Sequence, residues 1–173
     1  EICACLVGSE MCIRDRFHTG DAGYLKGNHL YLTERIKDLF KTSNGKYISP
    51  QALETKLSID RYIDQIAVIA DQRKFVSALI VPVYGLVKNY AKEKGLEYKD
   101  MTDLLQHPKV QALFRARIDT LQQQFAHYEQ VKRFTLLSEP FSMERGELTN
   151  TLKLKRSVVA KNYKELIDKM YEE

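Results

Sequence analysis

A chain of 173 residues with 44% apolar side chains is long enough to bury one sizeable core and too short for several. Its 27 basic and 23 acidic residues leave a net charge of +4, which suits an anionic small molecule, a membrane surface or nucleic acid equally and so excludes none of them. No apolar run reaches the roughly 18 to 20 residues of a membrane span and nothing resembles a secretion signal, so the expectation is a soluble, cytoplasmic chain.

Cys3, Cys5 and Cys12 all fall within the first twelve residues, a distribution that argues against a disulfide framework and supplies too few ligands for a zinc site. His18, His29, His107 and His127 show no metal-binding spacing either. Residues 1–16 carry neither helical nor strand periodicity. Within them Val7-Gly-Ser-Glu-Met-Cys-Ile-Arg-Asp-Arg16 resembles a translated library-adapter sequence. The segment is therefore expected to be foreign to the rest of the chain, and finding it encoded in frame with Phe17 in the source genome would overturn that.

From Phe17 the pattern becomes regular. Thr19-Gly-Asp-Ala-Gly23 reads as a turn, and residues 24–32 place Gly27-Asn28 between two short apolar stretches, a hairpin signal. Residues 35–41 nearly alternate apolar and charged side chains and predict a strand, which runs into the polar loop Thr42-Ser-Asn-Gly-Lys46. Ser49-Pro50 has the form of an N-cap and first helical residue, with Leu53 and Leu57 four apart behind it. Residues 66–69 and 75–81 are rich in β-formers and joined by Asp71-Gln-Arg-Lys74, a second hairpin.

Helical spacing comes next: Leu86, Val87, Tyr90 and Ala91 up to Gly95, then Val110, Leu113, Phe114, Arg117, Ile118, Leu121 and Phe125 after Pro108. Residues 131–137 predict another strand, interrupted by Lys132 and Arg133. Val158, Val159, Tyr163, Leu166, Ile167 and Met170 predict one closing helix. The fold class is α+β, a small mixed sheet with hairpins flanked by helices.

Four places could carry chemistry. Asp21, after Gly20, presents an acceptor-only carboxylate on a tight turn, able to hold a pair of hydroxyls such as those of a ribose. Arg35 reads as a solvent-facing ion-pair partner. Gly45 permits close approach of a ligand to the backbone. Lys153 ends a polar turn ahead of an amphipathic helix, where a mobile positive charge can meet a carboxylate or phosphate. Each has an ordinary structural explanation when taken alone, as a turn, a connector or a solvated basic helix start.

Their order is more specific. Phe17-His-Thr-Gly-Asp21, Tyr31-Leu-Thr-Glu-Arg-Ile-Lys-Asp-Leu-Phe-Lys-Thr-Ser-Asn-Gly-Lys-Tyr-Ile-Ser-Pro50, Ser77-Ala-Leu-Ile-Val-Pro82 and Leu148-Thr-Asn-Thr-Leu-Lys-Leu-Lys-Arg156 together resemble the C-terminal part of the adenylate-forming enzymes, in particular the long-chain fatty acyl-CoA synthetases. The resemblance runs from Phe17 to the end. It implies that residues 17–36 are the terminal hairpin of a large AMP-binding domain and residues 37–173 the mobile C-terminal domain. The implied activity is a fatty acid–CoA ligase using ATP, Mg²⁺ and CoA by way of an acyl-adenylate.

By position, the resemblance implies that Asp21 binds the ribose hydroxyls of ATP and the adenylate, assisted by Arg35, and that Lys37 is the hinge. It also implies that Gly45 borders the pantetheine arm of CoA, and that Lys153 is the catalytic lysine of adenylation. Asn150 stands where the family commonly has proline, so a less rigid turn is expected. The 173 residues contain no Ser/Thr/Gly-rich phosphate loop ending in Pro-Lys-Gly and no acyl pocket, so the chain is expected to need a large N-terminal AMP-binding domain as partner, and to be inactive alone. The alternatives are another acid–CoA ligase of the same superfamily, or a stand-alone basic module acting at the inner face of a membrane or on an acidic partner. Nucleic acid is not an expected partner, because aromatic residues are not interleaved with the basic ones.

Overall fold

The computed structural model describes residues 19–172. The foreign-segment reading of residues 1–16, the three cysteines and His18 lie outside the described residues.

Strands β1 (Asp21–Lys26) and β2 (His29–Arg35) form the first hairpin. Its two-residue turn places Gly27 first, at φ +61°, as a type II′ turn requires. The strands come so close that a side chain on Gly23 would meet the Tyr31 carbonyl oxygen at 2.5 Å. Tyr24 and Tyr31 stack across the pair with ring centroids 5.2 Å apart.

The strand expected over residues 35–41 is corrected: Arg35 ends β2, Ile36–Asp38 form a single 3₁₀ turn, and the chain pairs again only at Phe40–Lys41, as β3. The backbone closes on itself here, with the Ile36 N–H donating to Gly20 and the Leu39 N–H to Ile36, so no partner strand takes those groups. Lys37, the expected hinge, lies within this turn. β3 pairs with β4 (Tyr47–Ile48) across the Thr42 to Lys46 turn.

Helix α1 (Pro50–Leu57) begins as expected: the Ser49 hydroxyl accepts from the Ala52 N–H at 3.4 Å, and proline occupies the first turn. Ser49→Ala is expected to lower stability by about 1 kcal/mol, read as a shift in the urea unfolding midpoint.

A three-stranded mixed sheet organises the rest. β5 (Ile63–Ile69) and β6 (Val76–Pro82) are antiparallel, and β7 (Val131–Leu136) adds to the other side of β6 in parallel. Every residue of β6 is buried, because helices cover both faces. Ile66 and Val68 of β5 with Ala78 and Ile80 of β6 face α1, α2 (Tyr84–Glu93), α3 (Met101–Gln106) and α4 (Pro108–Leu121). Ala67, Ile69, Leu79 and Val81 face α5 (Arg156–Asn162) and α6 (Lys164–Tyr171). The period-two alternation of a strand divides one sheet between two cores in this way.

Three details depart from expectation. α3 carries no long apolar period; Asp100 caps it, accepting from the Asp103 N–H at 2.8 Å. α4 stops at Leu121, short of Phe125, because Gln122 leaves the helix to receive the Val131 N–H at 2.8 Å and fasten α4 to β7. The closing helix is two helices, broken at Tyr163, whose ring sits edge-on against Phe141 while Asn162 turns its amide to Glu147. Arg133, which interrupts the pattern of β7, donates to the Met170 and Glu172 carbonyls at the end of α6. Among the described residues no helix is long and apolar enough to cross a membrane.

Candidate functional site

A cleft of about 880 Å³ opens between the β1–β2 hairpin, α1 and the loop ahead of α5, and Asp21, Arg35 and Lys153 all line it. Asp21 and Arg35 are directly opposed in the hairpin register, and the Arg35 Nε donates to Asp21 Oδ1 at 3.1 Å. Arg35 is mostly exposed, so the pair adds little stability. It does hold one oxygen of a carboxylate that lines the cleft, and the Asp21 N–H donates in turn to the Thr19 hydroxyl at 3.2 Å. Ser49, Thr55 and Lys56 of the α1 region line the same space.

Lys153 is delivered by a closed loop. Leu148 and Leu154 form an antiparallel bridge. The Lys155 N–H donates to the Glu147 carbonyl at 2.7 Å, and the Thr149 N–H to the Lys153 carbonyl at 2.8 Å. The Lys153 N–H in turn donates to the Thr149 hydroxyl at 3.0 Å, which also meets the Thr151 hydroxyl. Threonine hydroxyls thus brace the turn in which Asn150 stands. Leu152 takes φ +58°, a left-handed conformation that costs a branched side chain about 1 kcal/mol or more. Lys153 itself is exposed, and its ammonium has no ion-pair partner among the described residues.

The loop's base rests on Glu147, which is fully buried. It accepts from the Ser142 N–H at 3.0 Å, Arg145 Nε at 3.1 Å and Asn162 Nδ2 at 3.1 Å. Burial alone would raise its pKa; the donors from Asn162, Ser142 and Arg145 outweigh that and hold it below the usual carboxylate range. Glu54 of α1 behaves oppositely. Desolvation raises its pKa despite Arg156 at 2.5 Å and the Val68 N–H at 2.9 Å.

Gly45 does not line the cleft. It tops the β3–β4 turn at φ +74°, and an added side-chain carbon would meet nothing within 4 Å, so within this chain the backbone conformation rather than packing favours glycine. Ser43 fastens that turn to the Arg73 carbonyl of the β5–β6 turn, at 3.0 Å from its N–H. Sequence reasoning passed over Glu147, Glu54 and Arg156. The one available signal was that Glu147 and Arg156 directly bracket the Leu148 to Lys155 segment.

The arrangement offers the Asp21 carboxylate for paired hydroxyls, and the cations Arg35, Lys56 and Lys153 for a negatively charged reactant, around a space large enough for a nucleotide-sized ligand. Among the described residues no group of three or more His, Cys, Asp or Glu could hold a metal ion.

Residues 37–173 match the family of the AMP-binding enzyme C-terminal domain. The chain is 35% identical over 162 residues to long chain acyl-CoA synthetase 7, peroxisomal, of Arabidopsis thaliana, covering 90% of this chain and 23% of that protein. It is 31% identical over 160 residues to the long-chain-fatty-acid–CoA ligase FadD15 of Mycobacterium tuberculosis, covering 90% and 26%. It thus spans about a quarter of these relatives. The adenylation domain of a carboxylic acid reductase from Segniliparus rugosus, in complex with AMP and a co-purified carboxylic acid, superposes with a TM-score of 0.73 at 22% identity, over 94% of this chain and 24% of that one. The corresponding domain from Mycobacterium chelonae gives 0.72 at 23% identity, over 90% and 23%. At such identities these two structures establish the fold alone.

Proposed function

The chain belongs to the AMP-binding enzyme C-terminal domain family, and from that premise we propose that it is the mobile C-terminal portion of a long-chain fatty acid–CoA ligase. Residues 37–173 are its small domain, and residues 17–36 the last hairpin of a large AMP-binding domain. The observation that carries this reading is the meeting of Asp21, Arg35 and Lys153 at one cleft, although Lys153 is more than a hundred residues from the other two.

In the first half-reaction the fatty carboxylate attacks the α-phosphorus of ATP, and the bond to pyrophosphate breaks. Two anions must approach, and the Lys153 ammonium, a compact movable charge, lowers that barrier by facing both. Asp21 accepts from the ribose hydroxyls and Arg35 fixes the Asp21 carboxylate. Mg²⁺ fits as an ion carried by the triphosphate, whose charge it neutralises, since no cage of side chains is needed for it.

In the second half-reaction the CoA thiolate attacks the acyl carbonyl and AMP leaves. Rotation about Lys37 withdraws Lys153 and brings the Gly45 turn to the same place. The absence of Gly45 from the Lys153 cleft supports this alternation, because two groups serving successive steps at one pocket need not share it at one time. Cytoplasmic placement, with peripheral contact at the inner face of a membrane, accords with a fatty-acid substrate.

The purified 173-residue chain, given ATP, Mg²⁺, CoA and palmitate, is expected to form no acyl-CoA. Measurable product would refute the need for a large-domain partner.

A further inference from the structure

We propose that Arg156, held by Glu54, is a positioning residue that locks the Lys153 loop to α1 and to the strand beyond the hinge, so that the lysine moves with the small domain as one rigid body. The inference rests on the adenylation role assigned to Lys153.

Glu147 holds the loop at its entry. A hairpin-like loop held on one side alone can tilt as a unit on the domain, and its tip then samples many directions. Arg156 holds the exit. Its Nη2 donates to Glu54 Oε2 at 2.5 Å, across 102 residues of sequence. Glu54 Oε1 meanwhile receives the Val68 N–H of β5 at 2.9 Å, so that carboxylate joins α1, the sheet and the loop exit. The Arg156 guanidinium also lies over the Phe40 ring at 5.9 Å. Phe40 opens β3, three residues beyond Lys37.

Two features separate this contact from ordinary surface pairing. Both side chains are largely covered, at 26% and 16% exposure, so solvent screens them weakly. Among the described residues Arg156 Nε is buried with no hydrogen-bond partner, a cost that suits a group retained for geometry. The same helix that holds Arg156 through Glu54 lines the cleft with Ala52, Thr55 and Lys56. The pair therefore sets the lysine loop directly against one wall of the site.

Hydrogen–deuterium exchange on the 173-residue chain tests the lock. Glu54→Gln keeps the shape and an acceptor for Val68 but removes the charge. The Lys153 and Lys155 amides are expected to exchange about tenfold faster relative to the amides of β6, and Arg156→Met to do the same. The double variant is expected to add nothing further. Exchange that is unchanged, or that rises only in step with β6, overturns the proposal. If Glu54→Gln fails to fold, Arg156→Met alone is read by the same criterion. In an enzyme completed with the large domain of a long-chain synthetase, the same variants are expected to slow adenylation. The KM for ATP and the rate of thioester formation from supplied acyl-adenylate should hold. Loop release without slower adenylation overturns the positioning role. An enzyme indifferent even to Lys153→Ala overturns instead the underlying assignment of that lysine.

Discussion

Lys153→Ala, in an enzyme completed with a large AMP-binding domain, is expected to slow acyl-adenylate formation by about 10² to 10³-fold, the usual cost of removing one preorganised charge stabiliser. Thioester formation from supplied acyl-adenylate should be nearly unchanged. The asymmetry follows from the geometry: Lys153 lines the cleft with Asp21 and Arg35, whereas Gly45 lies outside it. Because the loop is closed by main-chain and threonine hydrogen bonds, truncating an exposed side chain at its tip leaves the fold intact. Lys153→Arg should recover only part of the rate, since a delocalised guanidinium on a longer arm is not the same point charge. Separate assays of pyrophosphate release and thioester formation read the two halves. Equal loss of both would remove Lys153 from its role.

Glu147→Leu is expected to destabilise the chain by about 3 to 5 kcal/mol, the range for removing one partner from a buried charged network. The lost carboxylate leaves the Ser142 N–H, the Asn162 amide and the Arg145 Nε without their acceptor, while the rest of the Arg145 guanidinium keeps Glu139 and the Pro140 carbonyl. Glu147→Gln should cost less, retaining one acceptor oxygen. The pH dependence fixes the sign independently. Glu147 has a folded pKa below its unfolded value, so its contribution is present above the unfolded carboxylate pKa of about 4.3 and is lost as pH falls through the folded one. Glu54 runs the other way: its folded pKa is raised, so it favours the folded state below its unfolded pKa, an advantage lost as pH rises through the folded value. Urea unfolding across the acid range should therefore show a shallower acid loss in Glu147→Gln than in the parent chain. An unchanged acid limb would mean that Glu147 is not held below its normal pKa.

Much of the fold was legible because it is written in short-range patterns. Gly27-Asn28, Ser49-Pro50, and the apolar spacings of α2 and α4 each report a local backbone preference that the packing then ratifies. The misreadings occur where a long-range contact overrides that preference. Residues 35–41 alternate like a strand, yet Ile36 donates back to Gly20 and the chain turns. Residues 156–171 keep one apolar stripe, yet Tyr163 breaks it to seat its ring on Phe141. Phe125 extends the stripe of α4, yet Gln122 leaves the helix for β7.

The candidate site divides along the same line. The ordered motifs around Asp21, Arg35, Lys37, Gly45 and Lys153 sufficed for the sequence by itself to indicate an adenylate-forming family, because residue identity at each motif carries the chemistry. Only the tertiary structure put Asp21, Arg35 and Lys153 around one space and left Gly45 outside it. It alone, too, showed Glu147 buried at the entry to the lysine loop and Arg156, at its exit, paired with Glu54. Glutamate and arginine read as surface residues until burial and partners are known, and those depend on contacts between segments as much as 102 residues apart, which no local periodicity encodes.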